Sequence, residues 1–162
     1  MKKLLALALL FFIGSLSACI VSTDDGLDAQ QTAKVKDRVT TMANSIAQDI
    51  TKDGPAAWLK YFDNSPAFFM ASDGQLVFTD HQAAEQFING TLIKTIKHIG
   101  LKWGEIRVDA LTEQMGLMAC TFHEDLMDVQ GKTTPCDGYF TAIAQETKDG
   151  WKLRDAHWSI KH

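Results

Sequence analysis

The sequence predicts a single α+β domain: a strongly curved, mostly antiparallel sheet wrapped around about three N-terminal helices. Two patterns carry this. Helical apolar spacing is confined to the first half of the chain, while the second half is a series of long strand-like runs joined by short turns, which must pair antiparallel. Helices first and a meander last place the helices together on one face of one sheet. Length agrees: 162 residues with 46% hydrophobic content suit one core, and no repeat, low-complexity tract or second boundary interrupts them.

Residues 1–18 read as a secretory leader. Lys2 and Lys3 precede the unbroken apolar run Leu4–Ile13, which falls short of the roughly 20 residues a spanning helix needs. Leu16-Ser17-Ala18-Cys19 then resembles the bacterial lipobox, which implies cleavage before Cys19 and acylation of its thiol and new amino group. Residues 19–29 form the lipidated Cys and a short polar tether, with a reach of about 15 Å for the stretch Ile20–Leu27. The expected location is the bacterial cell envelope, lipid-anchored and facing the periplasm. Ile20 lacks the Asp that resembles an inner-membrane retention signal in enteric-type bacteria, which points to the outer membrane.

Residues 30–162 form the domain. Val35, Val39, Met42, Ile46 and Ile50 make one stripe of a helix over 28–51. Asp53-Gly54-Pro55 interrupts it, and a short aromatic helix follows over 56–62. Residues 67–72 read as a buried strand, Asp73-Gly74 as a hairpin turn and 75–78 as the return strand. Thr79 with Gln82 suggests a capping box opening a third helix, with Ala84, Phe87, Ile88, Leu92 and Ile96 inward and a weak point at Asn89-Gly90. Strands are expected over 101–111, 116–127, 133–146 and 151–160.

Cleavage would remove Lys2 and Lys3 but no acid, leaving a chain more acidic than the formal −4 of the full sequence. With no basic run, nucleic acid is not an expected partner, and attachment to lipid must come from acyl chains. No zinc-type Cys/His spacing, phosphate-binding Gly loop or nucleophile elbow occurs, so neither metal nor cofactor is expected. In the oxidising periplasm a Cys120–Cys136 disulfide is permitted. A hairpin turning at Gln130-Gly131, however, sets Cys120 opposite Thr141 and Cys136 opposite Asp125, roughly 17 Å apart. A disulfide needs Cα atoms within about 7 Å, so two separate thiols are favoured.

The order of elements resembles the nuclear transport factor 2-like superfamily, in particular its SnoaL-like branch. The local matches are Asp149-Gly150-Trp151-Lys152-Leu153 with His157-Trp158-Ser159 at the end, and residues 67–78 as the first hairpin. The resemblance implies a cone with a pocket at its wide end, and often a homodimer through the sheet. It also implies isomerases, dehydratases, cyclases, binders or assembly modules, so fold alone does not choose among them. The chain departs from the ketosteroid-isomerase type of site, because residues 67–72 carry no carboxylate and Tyr61 and Tyr139 are the only tyrosines.

Candidate site residues follow from strand alternation. Asp155, His157 and Ser159 share a face, but alternate residues about 6.8 Å apart do not close to a nucleophile–base contact of about 3.2 Å. That row reads as a fold signature, with His157 bonded to a neighbouring strand. Glu124 shares a face with Met118, Cys120 and Phe122, whereas His123 goes with Thr121 and Asp125. A strand-end carboxylate is ordinarily solvated. If it lay at the pocket, desolvation would raise its pKa and suit it as a base. Trp58, Tyr61, Phe122 and Trp158, with Glu124 and His157, are the expected pocket lining. The leading expectation is non-enzymatic binding of a small apolar or amphipathic molecule or an envelope protein. The alternatives are a lyase or isomerase with Glu124 or His157 as base, and a homodimeric scaffold.

Overall fold

The structure is a computed structural model that describes residues 26–161; the leader, Cys19 and most of the tether lie outside the described residues. Helix α1 (Ala29–Asp53) opens on Asp28, whose carboxylate accepts from the Gln31 N–H while the Gln31 side chain accepts from the Asp28 N–H. This reciprocal box satisfies amide groups that have no partner inside the helix. All five expected stripe residues are buried, so the period of the sequence sets which side of α1 meets the sheet. Two cross-links lock it: Trp103 Nε1 donates to the Ala43 carbonyl at 2.7 Å, and the Leu101 N–H donates to Thr51 Oγ1 at 3.1 Å. No described helix is long and apolar enough to cross a membrane.

The expected second helix is a 3₁₀ turn, Pro55–Lys60, with Pro55 at its start. The hairpin β1 (Phe69–Ser72) and β2 (Gln75–Phe78) turns through Asp73 and Gly74, both at positive φ, as a two-residue hairpin turn demands. Helix α2 (His81–Phe87) is capped by Asp80, which accepts from the Ala83 N–H at 2.8 Å; the capping box expected at Thr79 does not form. A π-helical turn, Ile88–Leu92, sits at the Asn89-Gly90 weak point and runs into the last turn α3 (Ile93–Thr95). Phe87 is exposed rather than inward, and Ile96 already belongs to the next strand.

The remaining strands are β3 (Ile96–Trp103), β4 (Arg107–Thr112), β5 (Met115–Asp128), β6 (Thr133–Thr147) and β7 (Gly150–Ile160). The sequence suggested one strand over 101–111. Two strands form instead, lying in tandem along the same edge of β5 and broken at Gly104. The sheet order is β2-β1-β7-β6-β5-β3, with β4 also on β5. Every pairing is antiparallel except β1 with β7. Helix α1 touches β3, β4, β5 and β7, so the sheet curls around it.

The β5–β6 hairpin corrects the expected register. Asp128 N–H donates to the Lys132 carbonyl, Gly131 N–H donates to the Asp128 carbonyl, and Gly131 stands at φ 86°. The loop is therefore the three residues 129–131, a turn followed by a left-handed glycine, not the two residues Gln130-Gly131. Cys120 accordingly faces Phe140, and Cys136 faces Glu124. Both cysteines are free, four rungs apart on neighbouring strands.

The chain approaches itself most closely at Gly138, where an added Cβ would meet the Ser159 carbonyl of β7 and the Phe122 ring of β5. Gly138→Ala is therefore expected to lower stability by about 1–3 kcal/mol, read as a fall in the urea midpoint. An unchanged midpoint would mean that the three strands relax freely there.

Candidate functional site

The wide end of the cone is hollow. A cavity of about 490 Å³ opens between the β1–β2 hairpin, the α2–α3 segment and the inner face of β3, β5, β6 and β7. Its aromatic wall is organised by Trp158, whose ring lies 5.7 Å from Trp58, 5.1 Å from Phe140 and 4.1 Å from Phe122. Trp58 stacks on Phe62 at 5.8 Å, and Phe78 meets Phe87 at 5.6 Å toward the mouth. These edge-to-face and offset arrangements suit the ring quadrupoles and hold the wall rigid. Leu76, Val77 and Phe87 reach both cavity and solvent, so the rim is apolar as well.

Among the described residues, one ionisable side chain lines this cavity: Glu124. Strand alternation puts it on the inner face of β5 with Met118, Cys120 and Phe122, all buried. Only 7% of Glu124 is exposed, and it makes no hydrogen bond to another described residue. The solvated strand-end carboxylate that is the ordinary expectation is thus not what forms. Burial raises its pKa to about 7, and His123 on the outer face offsets this slightly. The neighbouring residues across the sheet are Leu101 of β3 and Cys136 of β6, neither of which is charged at neutral pH. Burial and the Glu124 charge both push the Cys136 thiol up, and burial alone pushes Cys120 up to about 12.

The other expected residues are not all brought together. Trp58 and Trp158 line the cavity with Glu124, and Phe122 packs behind Trp158 as support. His157 is exposed on the opposite face of β7 from Trp158, because successive residues along a strand point to opposite sides. It cannot reach the cavity and serves there neither as base nor as lining. Tyr61 also lies elsewhere: its hydroxyl donates to Asp49 Oδ2 at 2.9 Å, beside a surface depression that includes Trp151. Burial and the Asp49 contact raise its pKa to about 12. Lys60 bridges Asp49 and Asp53 at 3.2 and 2.8 Å, which ties the 3₁₀ turn to α1.

The sequence reading missed Phe78, Phe87, Ile88, Leu92 and Leu126 as cavity wall. Leu126 was legible, since it continues the alternation Phe122-Glu124 by one more step. The others depend on how the hairpin and the α2–α3 segment fold over the sheet. A second, larger groove of about 710 Å³ lies on the outer face around His123, Tyr139 and Lys161. Its chemistry is already partnered: His123 bonds Asp137 at 2.9 Å and lies 3.5 Å from Asp125, and the Asp137 hydrogen bond leads the upward shift of its pKa. No group of three metal-ligating side chains comes together among the described residues.

The fold is shared with solved structures of low sequence identity. A nuclear transport factor 2-like superfamily protein from Salmonella enterica serovar Typhimurium is 19% identical, with a TM-score of 0.67 over 80% of this chain and 93% of that one. A putative scytalone dehydratase from Novosphingobium aromaticivorans reaches a TM-score of 0.71 at 8% identity, covering 83% and 89%. A hexachlorocyclohexane dehydrochlorinase, LinA type 3 from Novosphingobium barchaimii, gives 0.66 at 7% identity, covering 83% and 92%. No family model and no curated protein matches the sequence. The chain has the nuclear transport factor 2-like cone fold.

The buried carboxyl makes a stability prediction. Between about pH 4.5 and about pH 7 the folded protein keeps a proton on Glu124 that the unfolded chain has released. Stability therefore falls as pH rises through that window, by up to about 3 kcal/mol at completion. Glu124→Gln is expected to match the parent at pH 4 and to exceed it at pH 8 in urea unfolding. A difference that does not change with pH would place the carboxyl in water.

Proposed function

We propose that this chain is a lipid-anchored binding module of the bacterial envelope, whose cone domain holds a small apolar or amphipathic molecule. The observation that carries the binding reading is the aromatic-walled cavity in which, among the described residues, Glu124 is the single ionisable lining group with no second acid or base beside it in the wall. Acid–base catalysis ordinarily needs a positioned partner or a second proton carrier. Ligand sites, in contrast, are mainly apolar concavities of this size with a few polar groups that fix orientation.

A second reading has one specific observation in its favour. A carboxyl held near neutrality in an apolar site is suited to proton abstraction, and two structural neighbours carry the names of a dehydratase and a dehydrochlorinase. If the chain is a lyase or isomerase, Glu124 is its base, because His157 lies on the far side of the sheet.

Anchoring is supported by the Leu16-Ser17-Ala18-Cys19 motif and proposed to be on the periplasmic side of the outer membrane. Cys19→Ser is expected to abolish incorporation of a labelled fatty acid and to move the protein from the membrane to the soluble fraction. Unchanged labelling and fractionation would overturn the anchor.

The soluble domain from residue 20 onward contains every described element, so it tests the cavity without detergent. The neutral dye N-phenyl-1-naphthylamine is expected to bind one to one and quench tryptophan emission, and Leu126→Trp is expected to block it while leaving circular dichroism unchanged. Absence of dye binding in the parent would remove the binding reading.

A further inference from the structure

We propose that the cavity takes a cationic amphiphile, an organic amine or quaternary ammonium whose head meets Glu124 and whose hydrocarbon body fills the aromatic space. This deepens the binding-module reading and rests on it.

The argument begins with charge. Glu124 is 93% withdrawn from water by its residual exposure of 7%, lines the cavity, and has no hydrogen-bond partner among the described residues. A desolvated carboxylate without a partner is unfavourable, so Glu124 takes up a proton near neutral pH. The groups around it supply only the weak charge of His123, which acts from the outer face of the sheet. On its own strand, Phe122 and Leu126 share its face, and His123 points outward to Asp137. Leu101 faces it from β3, and Cys136 faces it from β6. Among the described residues, the remaining cavity wall holds no Lys, Arg or His; its polar members Ser72 and Gln75 are uncharged. Within the cavity, a cation in contact with Glu124 can therefore come only from what enters.

The wall selects the same sign. Trp58, Phe62, Phe140 and Trp158 present aromatic rings to the cavity, and ring faces carry negative potential that attracts organic cations. An anionic ligand would meet those rings and the Glu124 carboxylate with no cationic side chain among the described lining residues to offset its charge. A neutral alcohol gains the apolar contacts but leaves the carboxyl to hold its proton. An alkylammonium satisfies both parts of the site, because its charge pairs with Glu124 and its chain follows the oily rim at Leu76, Val77 and Phe87. Binding a fixed cation also displaces the proton, so affinity must rise with pH across the titration of Glu124.

Three probes of equal chain length test this on the soluble domain: octyltrimethylammonium, 1-octanol and octanoate, each read by displacement of N-phenyl-1-naphthylamine. At pH 8 the ammonium is expected to bind at least about 10-fold tighter than the alcohol, with octanoate weakest. Its advantage is expected to shrink at pH 5. Glu124→Gln is expected to remove the ammonium's advantage over the alcohol, with the variant's fold checked by circular dichroism. An alcohol or octanoate affinity equal to the ammonium's, or an ammonium affinity unchanged in Glu124→Gln, overturns the cation proposal alone. If the dye and all three probes fail to bind, the binding-module reading falls with it.

Discussion

The fold depends on how far α1 reaches into the curled sheet. Its apolar stripe supplies the filling for the narrow end, where Val35 and Val39 press against Gly116 of β5. Further along, Ile46 and Ile50 are fully buried, and then Gly54 and Pro55 turn the chain away. No residue of α1 lines the cavity. A sheet long enough to carry strands such as β5 and β6 therefore extends past its own filler. The wide end must be closed by something else, and the hairpin β1–β2 and the α2–α3 segment do this only at the rim. The hollow results from a length mismatch between one helix and the strands it packs on.

The chemistry of that hollow is decided by strand alternation. On β5 the inner face reads Met118, Cys120, Phe122, Glu124 and Leu126, and the outer face reads Thr121, His123 and Asp125. One carboxylate has taken a position that apolar residues hold above and below it. Its desolvation is not relieved from inside the protein, whereas His123, one residue away, has two carboxylates beside it on the wet face. The same alternation on β7 sends Trp158 to the centre of the aromatic wall and His157 into solvent. Adjacent residues in these strands thus have unrelated roles, and a cluster such as His123-Glu124-Asp125 is never one site.

Legibility followed the range of the forces involved. The α1 stripe, the Asp73-Gly74 turn and the strands after residue 115 were readable because each depends on local spacing or on the backbone freedom of a few residues. The cap at Asp80 instead of Thr79 was not, since both residues satisfy the same donor rule and only the entry angle of α2 separates them. The register of the β5–β6 hairpin was missed by one residue, because Gly131 closes a three-residue loop and not a two-residue one. The break at Gly104 was hidden in a strand-like run that alternates apolar and polar residues on both sides of it; there an added Cβ would meet Thr121, a contact made only across strands.

By itself the sequence determined the helix-then-strand order, the separation of Glu124 from His123, and the inward set on α1, because periods of 3.6 and 2 fix which side chains share a face. Only the tertiary structure decided that Glu124 is enclosed, that Tyr61 bonds Asp49 away from the cavity, and that Phe78, Phe87 and Leu92 build the wall. A period says that two residues point the same way. It does not say what lies opposite them, and burial, pKa and cavity shape are all set by what lies opposite.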